Sequence, residues 1–466
     1  MENEFDLIVI GGGPAGEKAA AKASYFGKKV ALVEQKEKPG GAGVNTGTLP
    51  SKTLKETALF LSGKQDKGLF GIDRDLKRNV SIDDFYYRKN FVTNSEVDTI
   101  IKNLINHQIK TFQGKAEFID KNTIQIGFQK IKGKFILIAT GSYPFHPEHI
   151  PFDKEKIHDS DSILELKRFP KSLCVLGAGV IGCEYATIFG TMGIPVYLID
   201  GKDKILPFLD FELSMSLVDK MKNDGINVIF NNGVKEIIPA KKNNQDLKII
   251  LNSGDTIESD MFLFAAGRSG NTKSLKLDKL GLSVNKRELI EVNEKYQTNI
   301  PNIFAVGDVI GFPSLASTSM DQGRAAVTHI FGTEGVEKLA PLFPYGIYTV
   351  PEVSMVGMTE DDVISKGINF CTGKARYSDM PRGKIIGAKD GFLKIIFDRD
   401  SLIILGVHII GYLATEIIHY GLTLVENKKK VDELISEVFN YPTLHDLYKY
   451  AAYDGLGNLS GHKIKI

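Results

Sequence analysis

Short apolar runs followed by glycine-rich turns are the strongest pattern along the chain. Residues Phe5 to Ile10 form one such run, and Gly11-Gly12-Gly13-Pro14-Ala15-Gly16 then opens an alanine-rich segment that ends near Gly27. A short apolar run bounded by glycine is typical of a buried parallel strand, and alanine favours a helix. The pattern therefore predicts a strand, a turn and a helix, with a second strand from Lys29 to Glu34.

The same pattern returns in the middle of the chain. An apolar run from Ser172 to Leu176 leads into Gly177-Ala178-Gly179-Val180-Ile181-Gly182, a predicted helix to about Gly190 and a strand from Pro195 to Asp200. In each copy an acidic residue follows the first glycine by 23 residues. This is close to the roughly 20 residues expected of a dinucleotide-binding βαβ unit. The sequence therefore predicts an α/β protein with two Rossmann-like domains.

Further elements are expected between the two copies. A helix is predicted around Ser51 to Leu61, followed by a long polar helical region to about Asn106. Predicted strands end in the segments Ile136 to Gly141 and Phe262 to Gly267, so each nucleotide domain is expected to close with a strand that turns on glycine.

The chain changes character from Tyr348 onward. Runs of β-branched residues predict a hairpin of Phe392 to Phe397 and Leu402 to Ile410, and helices are expected near Ala414 to Asn427 and Leu444 to Ala452. This part carries no nucleotide motif and is predicted to be an α+β unit. The expected domains are residues 1–144, 145–268, 269–338 as a return to the first domain, and 339–466.

Charge and cysteine content restrict the partners and the setting. The chain has 58 basic and 57 acidic residues, so neither nucleic acid nor an anionic membrane is an expected partner. It has no basic leader and no stretch of 18 apolar residues. Its three cysteines, Cys174, Cys183 and Cys371, are too scattered for a disulfide framework or a zinc cluster. We therefore expect a cytoplasmic protein without a metal site.

The glycines point to bound diphosphate groups. The chain has 46 of them, about one residue in ten against a norm of roughly 7%. A diphosphate binds to unpaired backbone N–H groups at a helix N-terminus, and glycine lets the backbone come close enough. Two glycine motifs, each with strand, helix and terminal carboxylate, predict two such sites.

The carboxylates at the ends of the second strands are predicted to accept hydrogen bonds from ribose hydroxyls. Asp200 therefore favours NAD, because a carboxylate repels a 2′-phosphate. Lys202 and Lys204 follow at once, and a lysine there either neutralises the 2′-phosphate of NADP or belongs to an ordinary solvated turn. Both interpretations of the lysines remain open at this stage.

Two nucleotide domains in one chain suit hydride transfer between a flavin and a nicotinamide. The segment from Thr298 to Asp308 fits this arrangement, because it predicts a strand that ends in Gly-Asp before a helix. Asp308 would then hold a ribityl hydroxyl of the flavin nucleotide.

Taken together, these motifs resemble the flavoprotein pyridine nucleotide-disulfide oxidoreductases, the family of dihydrolipoamide dehydrogenase and glutathione reductase. The resemblance covers essentially the whole chain and includes Gly40-Gly41 to Lys52, Gly114-Lys115-Ala116, Ala139-Thr140-Gly141, Gly267-Arg268 and Gly307-Asp308. It implies that the protein binds FAD as a cofactor and uses NAD and NADP(H) as substrates. It also implies a C-terminal dimerisation domain, and therefore a homodimer or a higher homo-oligomer. The FAD residues implied are Gly11, Gly13, Ala15, Gly16, Glu34, Lys52, Ala116, Thr140, Gly141, Asp308 and Ala316. Those implied for NAD(P) are Gly177, Gly179, Ile181, Gly182, Asp200, Lys202 and Gly267.

The redox groups of the family are missing from this chain. The family's Cys-x4-Cys pair corresponds to Gly43 and Thr48, and its catalytic histidine and glutamate correspond to Tyr441 and Asp446. Thiol chemistry needs a thiolate and a base to manage its proton. Losing all these groups argues against a disulfide reductase, and within the family the pattern is similar to the transhydrogenase branch. His445 is interpreted as a helix-surface residue.

The favoured hypothesis is therefore ping-pong transfer of hydride from NADPH to NAD⁺ through FAD at one nicotinamide site. By resemblance, Lys52 and Glu184 form an ion pair beside flavin N5, where the ammonium favours the developing negative charge. Thr48 is expected to pack near the flavin, and Tyr441 to approach the flavin of the other subunit, with no assigned role. The alternatives are an NAD(P)H oxidase or diaphorase that reduces oxygen or a quinone, and a flavin-binding module without catalysis.

Overall fold

The computed structural model describes residues 3–63, 80–239 and 245–462. The part of the predicted polar helical region at 64–79 lies outside the described residues. The first part of the chain contains the strands β1 (Glu4–Ile10), β2 (Val30–Glu34), β3 (Lys110–Gln113), β4 (Ala116–Asp120), β5 (Thr123–Ile126), β6 (Gln129–Ile138) and β7 (Ser142–Pro144). Strands β1 to β6 belong to the first sheet, and β7 lies outside it. The helices of this part are α1 (Pro14–Tyr25), α2 (Gly41–Asn45), α3 (Thr48–Ser62) and α4 (Ile82–Asn106).

The core of the first sheet is parallel. Its strand order is β3-β2-β1-β6-β5-β4, and Leu7 of β1 lies opposite Val30 of β2 and Phe135 of β6. The central strands are buried on both faces, as their continuous apolar sequences predict. Because Ala19 and Ala23 of α1 are fully buried and small, the helix lies close to the sheet.

The second copy of the motif builds a second parallel sheet. Its part of the chain contains β8 (Ile157–Asp159), β9 (Leu173–Leu176), β10 (Val196–Ile199), β11 (Ile226–Ile229), β12 (Val234–Ile238), β13 (Leu247–Leu251), β14 (Thr256–Ser259), β15 (Met261–Phe264) and β16 (Arg268–Gly270). The helices here are α5 (Val180–Thr191) and α6 (Phe211–Asn223). The parallel sheet has the order β11-β10-β9-β15-β8, and β12 to β14 form a separate antiparallel sheet. Strand β16 pairs with β7 in a separate two-stranded antiparallel sheet.

The chain then returns to the first sheet. Strand β17 (Ile303–Ala305) pairs in parallel with β6, and α7 (Ala316–Phe331) packs against α1. The helix expected directly after Gly307-Asp308 begins later than predicted, because Asp308 lies in a short 3-10 helix. Gly311, with a φ of +90°, ends this 3-10 helix, and Pro313 has no N–H with which to continue a helix.

The C-terminal part is an antiparallel sheet with helices. Its strands are β18 (Tyr345–Ile347), β19 (Glu352–Gly357), β20 (Phe370–Arg376), β21 (Phe392–Asp398) and β22 (Ile404–Gly411), in the order β18-β19-β22-β21-β20. Its helices are α8 (Glu360–Ser365), α9 (Pro381–Ile385), α10 (Ala414–Glu426), α11 (Glu433–Ser436) and α12 (Asp446–Ser460). The predicted hairpin is present as β21 and β22.

Helix α12 extends eight residues beyond the predicted end at Ala452. Its glycines allow contact with the sheet rather than ending the helix. A Cβ atom at Gly455 would lie 2.7 Å from the ring of Phe397, and one at Gly373 of β20 would lie 2.1 Å from the carbonyl oxygen of Ala451. The small residues are therefore required by this packing.

Among the described residues, no helix is long and apolar enough to span a bilayer. The same ranges contain no group of three or more His, Cys, Asp or Glu side chains that could hold a metal ion.

Candidate functional site

A cavity of about 1140 Å³ lies where the two nucleotide-type sheets meet the C-terminal part of the chain. Its walls come from the first glycine turn, from α3, from the start of α5 and from the segment between β18 and β19. Many of the predicted site residues line it: Gly11, Gly13, Ala15, Glu34, Thr48, Lys52, Ala116, Thr140, Gly141, Ile181, Glu184, Asp308 and Ala316. The volume lies slightly above the roughly 300–1,000 Å³ common for small-molecule sites, which suits a ligand as large as a dinucleotide.

The first glycine turn brings backbone very close to backbone. Gly11 has a φ of +106°, and a Cβ atom there would lie 2.3 Å from the carbonyl oxygen of Ala139. Gly16 does not line the cavity, but a Cβ atom on it would lie 1.9 Å from the carbonyl oxygen of Gly11, so glycine lets α1 start against β1. The N-cap of α1 is Gly13, which has no side chain to cap the first N–H groups. Those donors can therefore bind an anionic ligand.

Glu34 is held at the end of β2 by two backbone donors. Its Oε2 accepts a hydrogen bond of 2.8 Å from the N–H of Gly12, and its Oε1 accepts one of 2.8 Å from the N–H of Lys36. A carboxylate oxygen has a further lone pair, so Glu34 can still accept a hydrogen bond from a ribose hydroxyl.

The wall of the cavity also contains polar atoms that lack a partner. The hydroxyls of Thr140 and Tyr185 are buried, line the cavity and have no hydrogen-bond partner among the described residues. Buried polar groups are nearly always paired in native proteins, so unpaired ones on a cavity wall fit a bound ligand or water. Together with the glycine turn and Glu34, they make the chemistry of this cavity suitable for FAD.

Asp308 is positioned by a chain of hydrogen bonds that sequence reasoning missed. The hydroxyl of Ser142 donates to Oδ2 of Asp308 over 2.9 Å. Arg268 donates from Nε to the Ser142 hydroxyl and from Nη2 to the Ser142 carbonyl oxygen, both over 2.9 Å. Arg268 was predicted only as part of the Gly-Arg motif, because residues this far apart give no local signal of their contact.

Asp161 and Tyr185 are two further cavity residues outside the predicted set. Burial raises the pKa of the Asp161 carboxyl, and Arg268, whose Nη1 lies 3.7 Å from Oδ1, opposes that rise. Burial also raises the pKa of the Tyr185 hydroxyl well above its usual value. The tyrosine is therefore neutral and available as a hydrogen-bond donor.

The predicted ion pair between Lys52 and Glu184 is present. Nζ of Lys52 lies 2.8 Å and 2.9 Å from the two carboxylate oxygens, at the point where α3 meets α5. Glu184 also accepts hydrogen bonds from the hydroxyl of Ser51 (2.9 Å) and from the backbone N–H of Tyr348 (3.1 Å). The buried Glu184 carboxylate thus accepts hydrogen bonds from α3 and from the segment between β18 and β19. The contribution of Tyr348 was not predicted from the sequence.

The second glycine turn repeats the geometry of the first. Gly177 has a φ of +106°, and a Cβ atom at Gly182 would lie 1.7 Å from the carbonyl oxygen of Gly177. Asp200 accepts hydrogen bonds from the N–H groups of Ala178 (2.6 Å) and Lys202 (2.9 Å), as Glu34 does in the first copy. Most of the predicted NAD(P) residues do not line the cavity: Gly177, Gly179, Gly182, Asp200, Lys202 and Gly267.

No thiol lies on the cavity wall among the described residues. All three cysteines are buried and free, and burial raises the pKa of Cys174 and Cys183 far from the thiolate range. At the position of the family's first cysteine, a Cβ atom on Gly43 would lie 2.8 Å from Cγ of Pro14. A side chain at residue 43 would therefore require the Pro14 ring or the turn to shift.

Tyr441 does not reach the cavity within one chain. Its side chain is 71% exposed, and neither it nor Asp446 lines the cavity. Burial raises the pKa of Asp446, the first residue of α12. His445 stacks beside Phe439 and Tyr448, away from the cavity wall.

Comparisons with known proteins cover nearly the whole chain. The model of the "Pyridine nucleotide-disulphide oxidoreductase" family matches residues 5–323, and that of its dimerisation domain matches residues 343–452. The chain is 40% identical over 464 residues to a protein of Mycobacterium tuberculosis (strain ATCC 25177 / H37Ra) named soluble pyridine nucleotide transhydrogenase, with 98% of each chain covered. A protein of the same name from Pseudomonas putida (strain W619) is 38% identical, covering 98% of this chain and 99% of that one.

Solved structures share the fold. The HOCl-induced flavoprotein disulfide reductase RclA from Escherichia coli superimposes with a TM-score of 0.85 at 27% identity, covering 95% of this chain and 99% of that one. LpdA from Mycobacterium tuberculosis, at 24% identity, has a TM-score of 0.87 over 96% of this chain and 98% of its own.

Proposed function

The chain belongs to the pyridine nucleotide-disulphide oxidoreductase family, and from this premise we propose that it is an FAD-dependent transhydrogenase that transfers hydride from NADPH to NAD⁺. The family and the α/β fold class are those predicted from the sequence. The observation that carries the proposal is a complete Lys52–Glu184 pair in a cavity whose described wall has no thiol. The curated relatives named above carry this activity in their names, and neither an oxidase nor a catalytically inactive module is favoured.

The residues around the first glycine turn are those we propose for FAD. Gly11, Gly13, Ala15, Gly16 and Glu34 hold the adenosine diphosphate part, with Ala116, Thr140, Gly141, Asp308 and Ala316 along the rest of the cavity wall. When bound, FAD supplies a two-electron carrier that accepts hydride from one nicotinamide and returns it to another.

The described residues hold one ammonium group, that of Lys52, at a fixed place on the cavity wall. The Lys52 ammonium stays in place because Glu184 binds it with both oxygens, and Ser51 and Tyr348 hold Glu184. A preorganised cation favours negative charge that develops beside it during hydride arrival. Thr48, at the start of α3, packs on the same wall and offers no redox group.

One nicotinamide site serves both coenzymes in this proposal. The second glycine turn binds the diphosphate, and the site includes Gly177, Gly179, Ile181, Gly182 and Gly267. Asp200 accepts from the ribose hydroxyls of NAD. Lys202 is exposed and makes no ion pair with a described residue, so its ammonium can approach the 2′-phosphate of NADP. Alternating entry of NADPH and NAD⁺ gives ping-pong kinetics.

A steady-state assay tests this scheme. NADPH oxidation coupled to reduction of a thio-analogue of NAD⁺ is expected to give parallel lines in double-reciprocal plots, with each coenzyme a competitive inhibitor of the other at high concentration. Intersecting lines would require two nicotinamide sites and would contradict the proposal.

Asp200→Ser is expected to raise the KM for NAD⁺ by about tenfold while leaving that for NADPH nearly unchanged. Hydrogen bonds to a charged group contribute about 1.5–3 kcal/mol, and the serine keeps only a neutral acceptor. The two KM values, measured side by side, check this. If the ratio of the KM for NAD⁺ to the KM for NADPH is unchanged, Asp200 does not contribute to the choice between the coenzymes.

Restoring the family's two cysteines is expected to give no disulfide reductase. In the variant Gly43→Cys/Thr48→Cys, the first side chain clashes with Pro14, and Tyr441 stands where the family has its base. Activity with lipoamide and glutathione disulfide is expected to stay at the level of the parent protein. Substantial turnover of either disulfide would contradict this prediction, because it would show that two cysteines are sufficient to give this chain disulfide reductase activity.

The protein is a homodimer, because residues 343–452 form the family's dimerisation domain. In our proposal Tyr441 belongs to the site only through the partner subunit, which also accounts for its exposure within one chain. We further propose a cytoplasmic location, which the three free cysteines of the described chain favour.

A further inference from the structure

A second buried ion pair lies behind the proposed active site. Lys55, one turn along α3 from Lys52, pairs with Glu352 at the start of β19, 297 residues away in sequence. The side chains of the two residues are 5% and 6% exposed. A buried pair of this kind is stable only when its remaining donors and acceptors are satisfied.

Both partners of this pair are fully engaged. The other oxygen of Glu352 accepts hydrogen bonds from the N–H (3.1 Å) and the hydroxyl (2.8 Å) of Thr415, at the start of α10. Lys55 also lies 2.9 Å from Glu56. Burial lowers the pKa of Lys55, but attraction by Glu352 outweighs this and raises it overall, so the ammonium is charged.

Tyr348 connects this pair to the cavity. The Nζ atoms of Lys52 and Lys55 lie 4.9 Å and 5.9 Å from the centre of the Tyr348 ring. The backbone N–H of the same tyrosine donates to Glu184. Tyr348 and Thr415 line the cavity, whereas Lys55 and Glu352 do not. The ammonium groups of Lys52 and Lys55 thus contact the same aromatic ring. Lys55 has no role in the reaction as proposed above.

We propose that Lys55 is a positioning residue for this reaction, which together with Glu352 fixes Tyr348 against Glu184 and balances the charge beside the flavin. The inference rests on the proposed function in one respect, because it takes the bound flavin to lie next to Lys52. Replacing Lys55 leaves Glu352 as an uncompensated buried charge, and replacing Glu352 leaves Lys55 with only the exposed carboxylate of Glu56, which water screens. An extra negative charge disfavours electron uptake by the flavin, and an extra positive charge favours it. A unit charge about 10 Å away changes such an equilibrium by about tenfold at the effective dielectric constant of a protein.

The test is the midpoint potential of the bound flavin, measured by anaerobic spectroelectrochemistry with a chemical reductant. Lys55→Met is expected to lower the ratio of reduced to oxidised flavin at fixed potential about tenfold, about 30 mV for a two-electron couple. Glu352→Gln is expected to raise it by a similar factor. The double variant and Lys55→Arg are expected to lie close to the parent protein.

Lys394→Met provides a matched control. Lys394 is as deeply buried and pairs with Asp210 (2.8 Å), but its ion-pair partners Asp210, Glu212 and Glu360 do not line the cavity, whereas Lys55 lies against the cavity residue Tyr348. Its loss is expected to reduce stability without moving the potential. A purely structural role of Lys55 predicts shifts of the same sign for Lys55→Met and Glu352→Gln, or none, and either result would overturn the inference.

The potential measurements remain informative if one variant does not fold or if NADPH does not reduce the protein. If Lys55→Met does not fold, Glu352→Gln and the double variant still decide the matter, because an unchanged potential in Glu352→Gln contradicts the charge balance. If NADPH fails to reduce the parent protein, the proposed function is wrong, yet the chemical titration still measures the effect of the pair on the flavin.

Discussion

Replacing Lys52 by methionine is expected to slow the reduction of bound flavin by NADPH by about 10²- to 10³-fold, the usual cost of removing one preorganised group that stabilises developing charge. The ammonium lies on the cavity wall, and both oxygens of Glu184 hold it there. Flavin binding is expected to persist, because the first glycine turn and Glu34 are untouched. Stopped-flow absorbance at the flavin band under anaerobic conditions measures the rate.

Lys102→Met is the matched control for this experiment. Lys102 is exposed on α4 and lies outside the cavity wall, so the rate of reduction is expected to match that of the parent protein. Lys52→Arg keeps the charge and is expected to recover part of the loss. A Lys52→Met protein that is yellow and reduced at the parental rate would show that the ion pair has no part in the reaction.

A second large effect, on nucleotide binding, is expected from replacing the last glycine of either glycine turn, Gly16 or Gly182. Gly16→Ala places a methyl group 1.9 Å from the carbonyl oxygen of Gly11, and Gly182→Ala places one 1.7 Å from that of Gly177. Neither backbone contact can be relieved by a side-chain rotation, so each helix start must move. Overpacking of this kind costs about 1–3 kcal/mol or more. At least a tenfold loss of affinity is therefore expected at the affected nucleotide site.

The two variants are expected to fail differently. Gly16→Ala protein should be purified with little FAD, whereas Gly182→Ala protein should be yellow but slowly reduced by NADPH. Gly27→Ala, just beyond the C-terminal end of α1, has nothing within 4 Å of the new methyl group. Its φ of +72° makes alanine strained there, but this strain lies far from the glycine turn, so the variant should retain FAD. Flavin content and the NADPH dependence of reduction separate these cases. Equal loss of FAD in both glycine variants would contradict separate roles for the two turns.

Local patterns explain why so much of the fold was predictable. Each βαβ start lies within about 30 residues, and its glycines, apolar strands and terminal carboxylates all serve one local geometry. The extent of α12 was missed because Gly455 signals flexibility to a sequence reader, whereas its role is contact with Phe397. That contact depends on tertiary packing, which no local pattern encodes.

The residues of the candidate site also differ in how far local sequence patterns predict them. Lys52 and Glu184 were found because each lies in a recognisable motif. Ser142 and Tyr348 were missed, since each acts through a hydrogen bond to a residue more than 150 positions away. The closeness of Gly43 to Pro14 also needed the structure. It shows that a side chain at the position of the family's first cysteine would press on Pro14, which the sequence alone does not indicate.

The central claim is that electrons leave the protein through a second nicotinamide. It is tested most directly by reducing the yellow protein anaerobically with one equivalent of NADPH and then mixing it, in parallel, with NAD⁺ or with oxygenated buffer. We expect NAD⁺ to restore the oxidised flavin spectrum rapidly, with NADH formed in equal amount, and oxygen to act far more slowly. Rapid reoxidation by oxygen with no reaction toward NAD⁺ would contradict the account.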